Sequence, residues 1–271
     1  MLSERSREKL LGELLYTIRN VIKGVSSQKL CEEDLKRALK RLGYEYIHVT
    51  KTTSTQDIAK KILKRNFRKS IIRADVQLSG RGRFGRVWYS PAGGLWITIL
   101  DTGLDTSPDI IAPLAIVLFL KVQYNLEVSI KWPNDVYAYG KKLAGILVEA
   151  ISEHPKVHYM IGIGINVNND PPIEKATSLK RVIKREVNLN EILLGTVVYY
   201  ELLKRIADPI VIFKRLCHSF MSWLLIKLVD GQEIVGKLLD IHKDGTAIVE
   251  DKEGRQKIVH ASEVLYVLML S

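Results

Sequence analysis

Cysteine is nearly absent: Cys31 and Cys217 are the only two in 271 residues. They lie far apart with no Cys or His at metal-ligand spacing, which excludes a disulfide framework and a zinc site. Both read as small buried hydrophobes of a reducing compartment. Only 8 Pro and 18 Gly are present, so collagen-like, mucin-like and disordered readings fall away. Long apolar runs are missing as well. The longest apolar run, Ile110 to Leu120, has eleven residues and contains Pro113, well short of the roughly 20 that cross a bilayer. The amino terminus, MLSERSREKLLGELL, mixes charges of both signs and never forms the apolar core of a secretory signal. These absences predict a cytoplasmic protein with no membrane partner.

Acidic residues are scarce in the first hundred positions. The net charge of +11 divides into +3 for residues 1–48, +6 for 49–80, +3 for 81–100 and −1 beyond. Such a basic half attracts polyanions of any kind, so charge alone leaves nucleic acid, nucleotide phosphate and an acidic protein open.

Apolar side chains at Leu10, Leu11, Leu14, Leu15, Ile18, Val21 and Ile22 have the spacing of an amphipathic helix over 7–23. A second helix is expected from Glu32, ending near Gly43. Two helices without a recognition helix or wing fall short of a winged helix-turn-helix, so no sequence-specific DNA binding is expected. From Tyr46 short strands alternate with helices: strands at Tyr46–Val49, Ser70–Val76, Leu95–Leu100, Val128–Lys131, Lys142–Ile151 and Lys156–Val167, and helices at Gln56–Lys64, Pro113–Gln123, Leu189–Arg205 and Pro209–Trp223. This is an α/β or α+β pattern, a sheet covered by helices. Lys180 to Val187 reads as a surface connection. The tail from Leu224 has no helical period, and Asp230-Gly231, Asp244-Gly245 and Glu253-Gly254 punctuate short strands as hairpin turns do. A small antiparallel barrel is expected there. The reading divides the chain into a helical extension over 1–45, a catalytic domain over 46–222 and the barrel over 223–271.

Four segments carry chemistry. Gln77 to Gly94, QLSGRGRFGRVWYSPAGG, is Gly-rich, lacks acids, and sets Arg81, Arg83 and Arg86 at nearly every second position before Trp88. Flexible backbone can turn its N–H groups toward an anion, and guanidiniums match phosphate oxygens. It is not a Walker loop, since Gly-Lys-Ser/Thr is missing; a solvated or RNA-binding basic loop remains the alternative. Lys131-Trp132-Pro133-Asn134-Asp135 leaves a strand in a rigid turn that presents a cation, an amide and a carboxylate, with a plain polar turn as its alternative. In Lys141 to Ala150, strand alternation puts Lys142 and Gly145 on opposite faces unless a bulge intervenes. The glycines of Ile161 to Asn168 leave room for a ligand or a second backbone.

Together these segments closely resemble the biotin protein ligases: G-R-G-R-x-G-R-x-W at 80–88, K-W-P-N-D at 131–135, K-L-A-G-I-L-V-E at 142–149 and G-I-G-I-N-V at 162–167, in the family's order. The resemblance covers residues 46–271. It implies a class II synthetase-like catalytic domain with a mixed sheet, followed by an SH3-like domain. The implied reaction has two steps. Biotin carboxylate attacks the α-phosphate of ATP, giving biotinyl-5′-AMP and pyrophosphate; a lysine of a biotin carboxyl carrier protein then attacks the acyl adenylate.

By position in the family pattern, Lys142 bridges the biotin carboxylate and the α-phosphate, while Arg81, Gly82 and Arg83 close over the intermediate. Arg86 meets phosphate, Trp88 the adenine, Lys131 and Asn134 the phosphates or Mg²⁺, and Asn166 joins the ATP site. Ser54, Thr55, Gln56, Gln77, Gly80, Gly145 and Gly162 complete the biotin pocket, where hydroxyls and amides suit a ureido ring. The family usually has Ser-Thr-Asn where this chain has Ser54-Thr55-Gln56, an added methylene that moves the amide. The resemblance also implies a homodimer. A lipoate or octanoate ligase or transferase shares the catalytic fold but is disfavoured by Arg81 to Trp88 and the K-W-P-N-D turn. A noncatalytic nucleic-acid-binding protein would leave the Lys142 strand and the Gly-Ile-Gly-Ile-Asn strand unexplained.

Overall fold

Alternation along one strand sets the architecture. In β7 (Lys156–Ile165) Ile161, Ile163 and Ile165 are buried in the main core, while Gly162 and Gly164 between them face the other side of the sheet. The computed structural model describes residues 30–153 and 155–270; the helix expected over 7–23 lies outside them. Seven strands pair in the order β1-β2-β3-β7-β6-β5-β4. They are β1 (Glu45–Thr52), β2 (Ser70–Gln77), β3 (Leu95–Thr102), β4 (Val128–Lys131), β5 (Asp135–Ala138), β6 (Lys141–Glu153) and β7. Only β1 and β2 run parallel, joined by helix α2 (Thr55–Arg65); every other neighbour is antiparallel. The sheet is therefore mixed, with an antiparallel majority.

Helix α2 packs Ala59 and Leu63 against Ile72, Leu100 and Met160 on one face. The opposite face is covered by α1 (Glu32–Arg41), α3 (Pro108–Tyr124), α5 (Leu189–Leu203) and α6 (Ile210–Leu216). In α3 every residue from Ile110 to Leu120 is buried, which is what an all-round apolar helix requires. Ser107 caps it by accepting from the Asp109 N–H, so the helix begins at Pro108 and runs through Pro113 rather than starting there. Helix α1 places Leu35 and Leu39 in the main core. No described helix is long and apolar enough to cross a membrane.

Three local expectations are corrected. Lys180 to Val187 is not a plain connection: Leu179–Ile183 forms a short helix, α4, anchored by buried Leu179. The helix expected to reach Trp223 stops at Leu216, because Cys217 turns to extended backbone, and Trp223 opens a strand. Strands β5 and β12 (Val264–Met269) were not anticipated. The tail forms a five-stranded antiparallel sheet, ordered β11-β10-β9-β8-β12, from β8 (Trp223–Leu228), β9 (Glu233–Ile241), β10 (Ala247–Glu250), β11 (Gln256–Val259) and β12. Its inner residues Leu224, Ile226, Leu238, Val249 and Val264 join the main core.

Candidate active site

A cavity of about 680 Å³ opens on the α2 face of the large sheet, within the range of small-molecule sites. Its floor is glycine. Gly145 on β6 pairs with Gly164 on β7, and Gly162 pairs with Leu147, so side chains are missing where two central strands meet. Trp88 uses part of that space. A Cβ on Gly164 would come within 2.5 Å of the indole Nε1, and one on Gly145 within 2.9 Å of its ring. That Nε1 is buried and has no protein partner.

A bulge decides where Lys142 points. Across β5 and β6 the register shifts, with Val136 opposite Ala144 but Tyr137 opposite Lys142. Leu143 and Ala144 both turn into the core, so Lys142 and Gly145 share the cavity face, resolving the alternatives that strand alternation left open. Lys142 Nζ lies 2.7 Å from Asp135 Oδ1 and 5.3 Å from the Trp88 ring centroid. The second lysine of the site, Lys131, is held below its ordinary pKa by burial; Asp135 opposes that shift, and Lys142 and Lys175 add to it.

The opposite end is built on the start of α2. Ser54 caps the helix by accepting from the Gln56 N–H. Gln77 Oε1 accepts from the Thr55 N–H at 2.9 Å and its hydroxyl at 3.1 Å, and Gln77 Nε2 donates to Ser90 Oγ. Gln77 is thus held by protein groups on both sides of its amide. Gln56 reaches further: its Nε2 donates to the Leu147 and Met160 carbonyls, each at 3.3 Å, while its Oε1 is buried with no partner. The added methylene sets this amide against Gly162, whose missing side chain admits it.

The Gly-rich loop covers the cavity. Arg81 pairs with Asp57 of α2 at 2.7 Å, which raises its pKa and lowers that of the carboxyl. Arg83 donates to Asn134 Oδ1 at 3.4 Å and to the Ala261 carbonyl, and Arg86 donates to the Leu265 carbonyl. Burial lowers the Arg83 pKa, opposed by the charges of Asp109 and Asp135. Between them Phe84 takes a left-handed backbone, φ 56° and ψ 37°, unusual for a bulky residue. The carboxy-terminal sheet is therefore part of the loop's support, and Val264 to Val267 line the cavity.

In the Lys131 to Asp135 turn, Trp132 is buried, its N–H bonded to Ser219 Oγ and its indole to the Gly245 carbonyl. Asn134 ties the turn to β6 through the Ile146 carbonyl at 2.6 Å. Asn166 reaches the cavity wall, its Oδ1 accepting from Asn169.

The cavity thus brings together Ser54, Thr55, Gln56, Gln77, Arg81, Gly82, Arg83, Arg86, Trp88, Lys131, Asn134, Lys142, Gly145, Gly162 and Asn166. Gly80 is the exception: it does not line the cavity, because its Cα faces the Trp88 carbonyl and Ser90 Oγ, where a Cβ would lie at 2.3 and 2.4 Å. Its requirement is packing within the loop. Asp135, Pro171 to Ile173 and Val264 to Val267 were missed as cavity residues. For Asp135 the signal was present, since it ends the Lys131 motif; β12 has none, being an apolar strand without a motif.

The sequence model of the Biotin/lipoate A/B protein ligase family matches residues 46–166. The bifunctional ligase/repressor BirA of Bacillus subtilis is 32% identical over 262 residues, covering 86% of this chain and 78% of its own length. The biotin--[acetyl-CoA-carboxylase] ligase of Mycobacterium tuberculosis is 31% identical over 222 residues, 73% of this chain and 79% of its own. Among solved structures, the biotin protein ligase from Aquifex aeolicus in complex with biotin and ATP superposes with a TM-score of 0.69 at 25% identity, over 83% of this chain and 99% of that one. With the glycine floor, the bulge-directed lysine and the arginine loop in one cavity, these likenesses show that the chain belongs to the biotin protein ligase family.

Proposed function

We propose that the protein uses ATP to convert biotin into biotinyl-5′-AMP and then transfers biotin to a lysine of a biotin carboxyl carrier protein. One observation carries the reading onto this chain's residues: Lys142 stands on the cavity face, ion-paired, between the buried polar end at Gln56 and the arginine loop. Gln56 Oε1, an acceptor without a partner, suits a ureido N–H of biotin, and Ser54, Thr55 and Gln77 frame that end of the slot. The biotin carboxylate then lies toward Lys142, which neutralises charge as that carboxylate approaches the α-phosphate. Fixed cations worth most where charge develops are Lys142, Arg83 and Lys131. Arg81, Gly82 and Arg86 close the loop over the adenylate, Asn134 and Asn166 bound the nucleotide side, and Trp88 offers its ring to the adenine.

Mg²⁺ fits as a companion of the nucleotide. Among the described residues no group of three or more His, Cys, Asp or Glu gathers to hold a metal, and Asp135 is the carboxylate on the cavity wall. Magnesium ordinarily takes most of its ligands from phosphates and water with one or two carboxylates, and bound there it would screen phosphate charge. A homodimer in the cytoplasm completes the proposal on family resemblance, and sedimentation tests its first half.

Incubating the protein with ATP, Mg²⁺ and biotin, followed by mass spectrometry, should yield biotinyl-AMP. Adenylation of octanoate or lipoate with no biotinyl-AMP would replace this reading by that of the fold's lipoyl branch.

A further inference from the structure

The basic excess of residues 49–80 has a definite location. Of its eight Lys and Arg, Lys69 pairs with Glu201, Arg68 with Glu45, and Arg73 is buried against Asn190. The other five, Lys51, Lys60, Lys61, Lys64 and Arg65, are exposed, and none has a carboxylate within ion-pair distance among the described residues. Four of the five are on α2, whose apolar side buries Ala59 and Leu63. The helix begins in the cavity wall, at Thr55 and Gln56, and its Asp57 is the residue that holds Arg81 of the loop. From Asp57, residues 60, 61 and 64 follow at helical spacing on one side. At about 1.5 Å per residue, Lys64 is roughly 10 Å along the axis from the loop contact. That distance is comparable to the screening length at physiological salt, about 8 Å, so the cations act as one field. The stripe is continuous with the rim of the catalytic cavity.

The geometry points to this face of α2, with Lys60, Lys61, Lys64 and Arg65, as the docking surface for an acidic face of the acceptor protein beside its target lysine. The inference rests on the ligase reading above. Its physical reason is the charge of the reacting partner. An acceptor lysine must come to a cavity already lined by Arg81, Arg83, Lys131 and Lys142, and like charges repel it. Carboxylates flanking that lysine, set against α2, would offset the repulsion and steer the encounter, an effect that raises association rates 10- to 10³-fold at low salt. A nucleic acid is the poorer fit, because Asp57 stands within the stripe and the stripe leads into an acyl-transfer cavity rather than along a groove.

The test uses the full-length protein, a recombinant biotin carboxyl carrier domain and the double variant Lys61→Glu/Lys64→Glu. Biotinyl-AMP formation without carrier and acylation of hydroxylamine should be unchanged. The kcat/KM for the carrier should fall at least tenfold at low ionic strength, through KM, and the difference should shrink as salt is raised. A carrier whose carboxylates near the acceptor lysine are changed to lysine should recover activity with the double variant. Unchanged carrier kinetics with normal biotinyl-AMP formation would overturn the docking surface alone. Loss of duplex DNA binding with carrier kinetics intact would assign the stripe to nucleic acid and overturn it equally. A wild-type protein that forms no biotinyl-AMP would overturn the ligase reading and this inference with it.

Discussion

Lys142 and Asp135 form an ion pair across a β-bulge, Nζ to Oδ1 at 2.7 Å, with both side chains partly exposed to the cavity. The carboxylate orients the ammonium without burying it, which leaves the lysine able to turn toward an anion in the cavity. Removing a donor aimed at developing charge costs a hundred- to thousandfold in rate. Lys142→Ala should therefore lower biotin-dependent pyrophosphate release by about that factor with an unchanged melting temperature. Asp135→Asn should lose less, since it removes the orienting group and keeps the cation. Near wild-type rates for Lys142→Ala would make it an ordinary strand-edge lysine.

The bulge also shows what was legible in the sequence. The four motifs supply the glycine floor, the lysines and the arginine loop of the cavity, because strand alternation and glycine position are local properties: Ile161, Ile163 and Ile165 inward, Gly162 and Gly164 outward. Lys142 could not be assigned to a face, since a single extra residue in the ladder reverses alternation and sequence does not mark it. Gly80 was grouped with ligand-contacting residues because a packing glycine and a ligand-cradling glycine have the same letter; only the atoms opposite its Cα separate them. The contribution of β12 was invisible for another reason. Its hold on the loop is the Leu265 carbonyl, which accepts from Arg86, and every residue has a carbonyl.

Gln56 supplies a prediction about biotin affinity. Its Nε2 is satisfied by the Leu147 and Met160 carbonyls while its Oε1 is buried without a partner. A hydrogen bond is worth about 0.5–1.5 kcal/mol net. Gln56→Met removes the acceptor, and biotin Kd by calorimetry should rise about 2- to 12-fold from that bond alone. ATP affinity should not move. An unaltered biotin Kd would place the Gln56 amide in the packing of α2 only.

Asp109 predicts a pH dependence of stability. Burial raises its carboxyl pKa to about 6, and Arg83 and the Ser107 hydrogen bond only partly offset that. The folded value lies above the unfolded one, so the folded state binds the extra proton between about pH 4 and 6. The associated stability is present below that window and is lost as pH rises through about 6. Asp109→Asn should melt higher than wild type at pH 8, by about 2–4 °C for each kcal/mol recovered, and match it near pH 4. Equal melting temperatures at both pH values would show that the carboxylate is adequately solvated.

Arg83 ties the Gly-rich loop to the carboxy-terminal sheet through the Ala261 carbonyl and to the Lys131 turn through Asn134. The loop from Gly80 to Arg86 has three glycines, and ordering such a segment costs about 1–2 kcal/mol per residue in backbone entropy. Charge-assisted bonds of the kind Arg83 makes are what hold it in place. Arg83→Gly removes both anchors and adds freedom at the same position. Adenylation, assigned above to Lys142 as a proposal, should suffer less than retention of the product. Biotinyl-AMP should dissociate faster from the variant, and lysines of added albumin should become biotinylated without selection. The measurements are the dissociation rate of labelled intermediate and a biotin blot of the albumin. A wild-type dissociation rate with no albumin labelling would mean that the loop is held elsewhere, by Arg81 on Asp57 or Arg86 on Leu265.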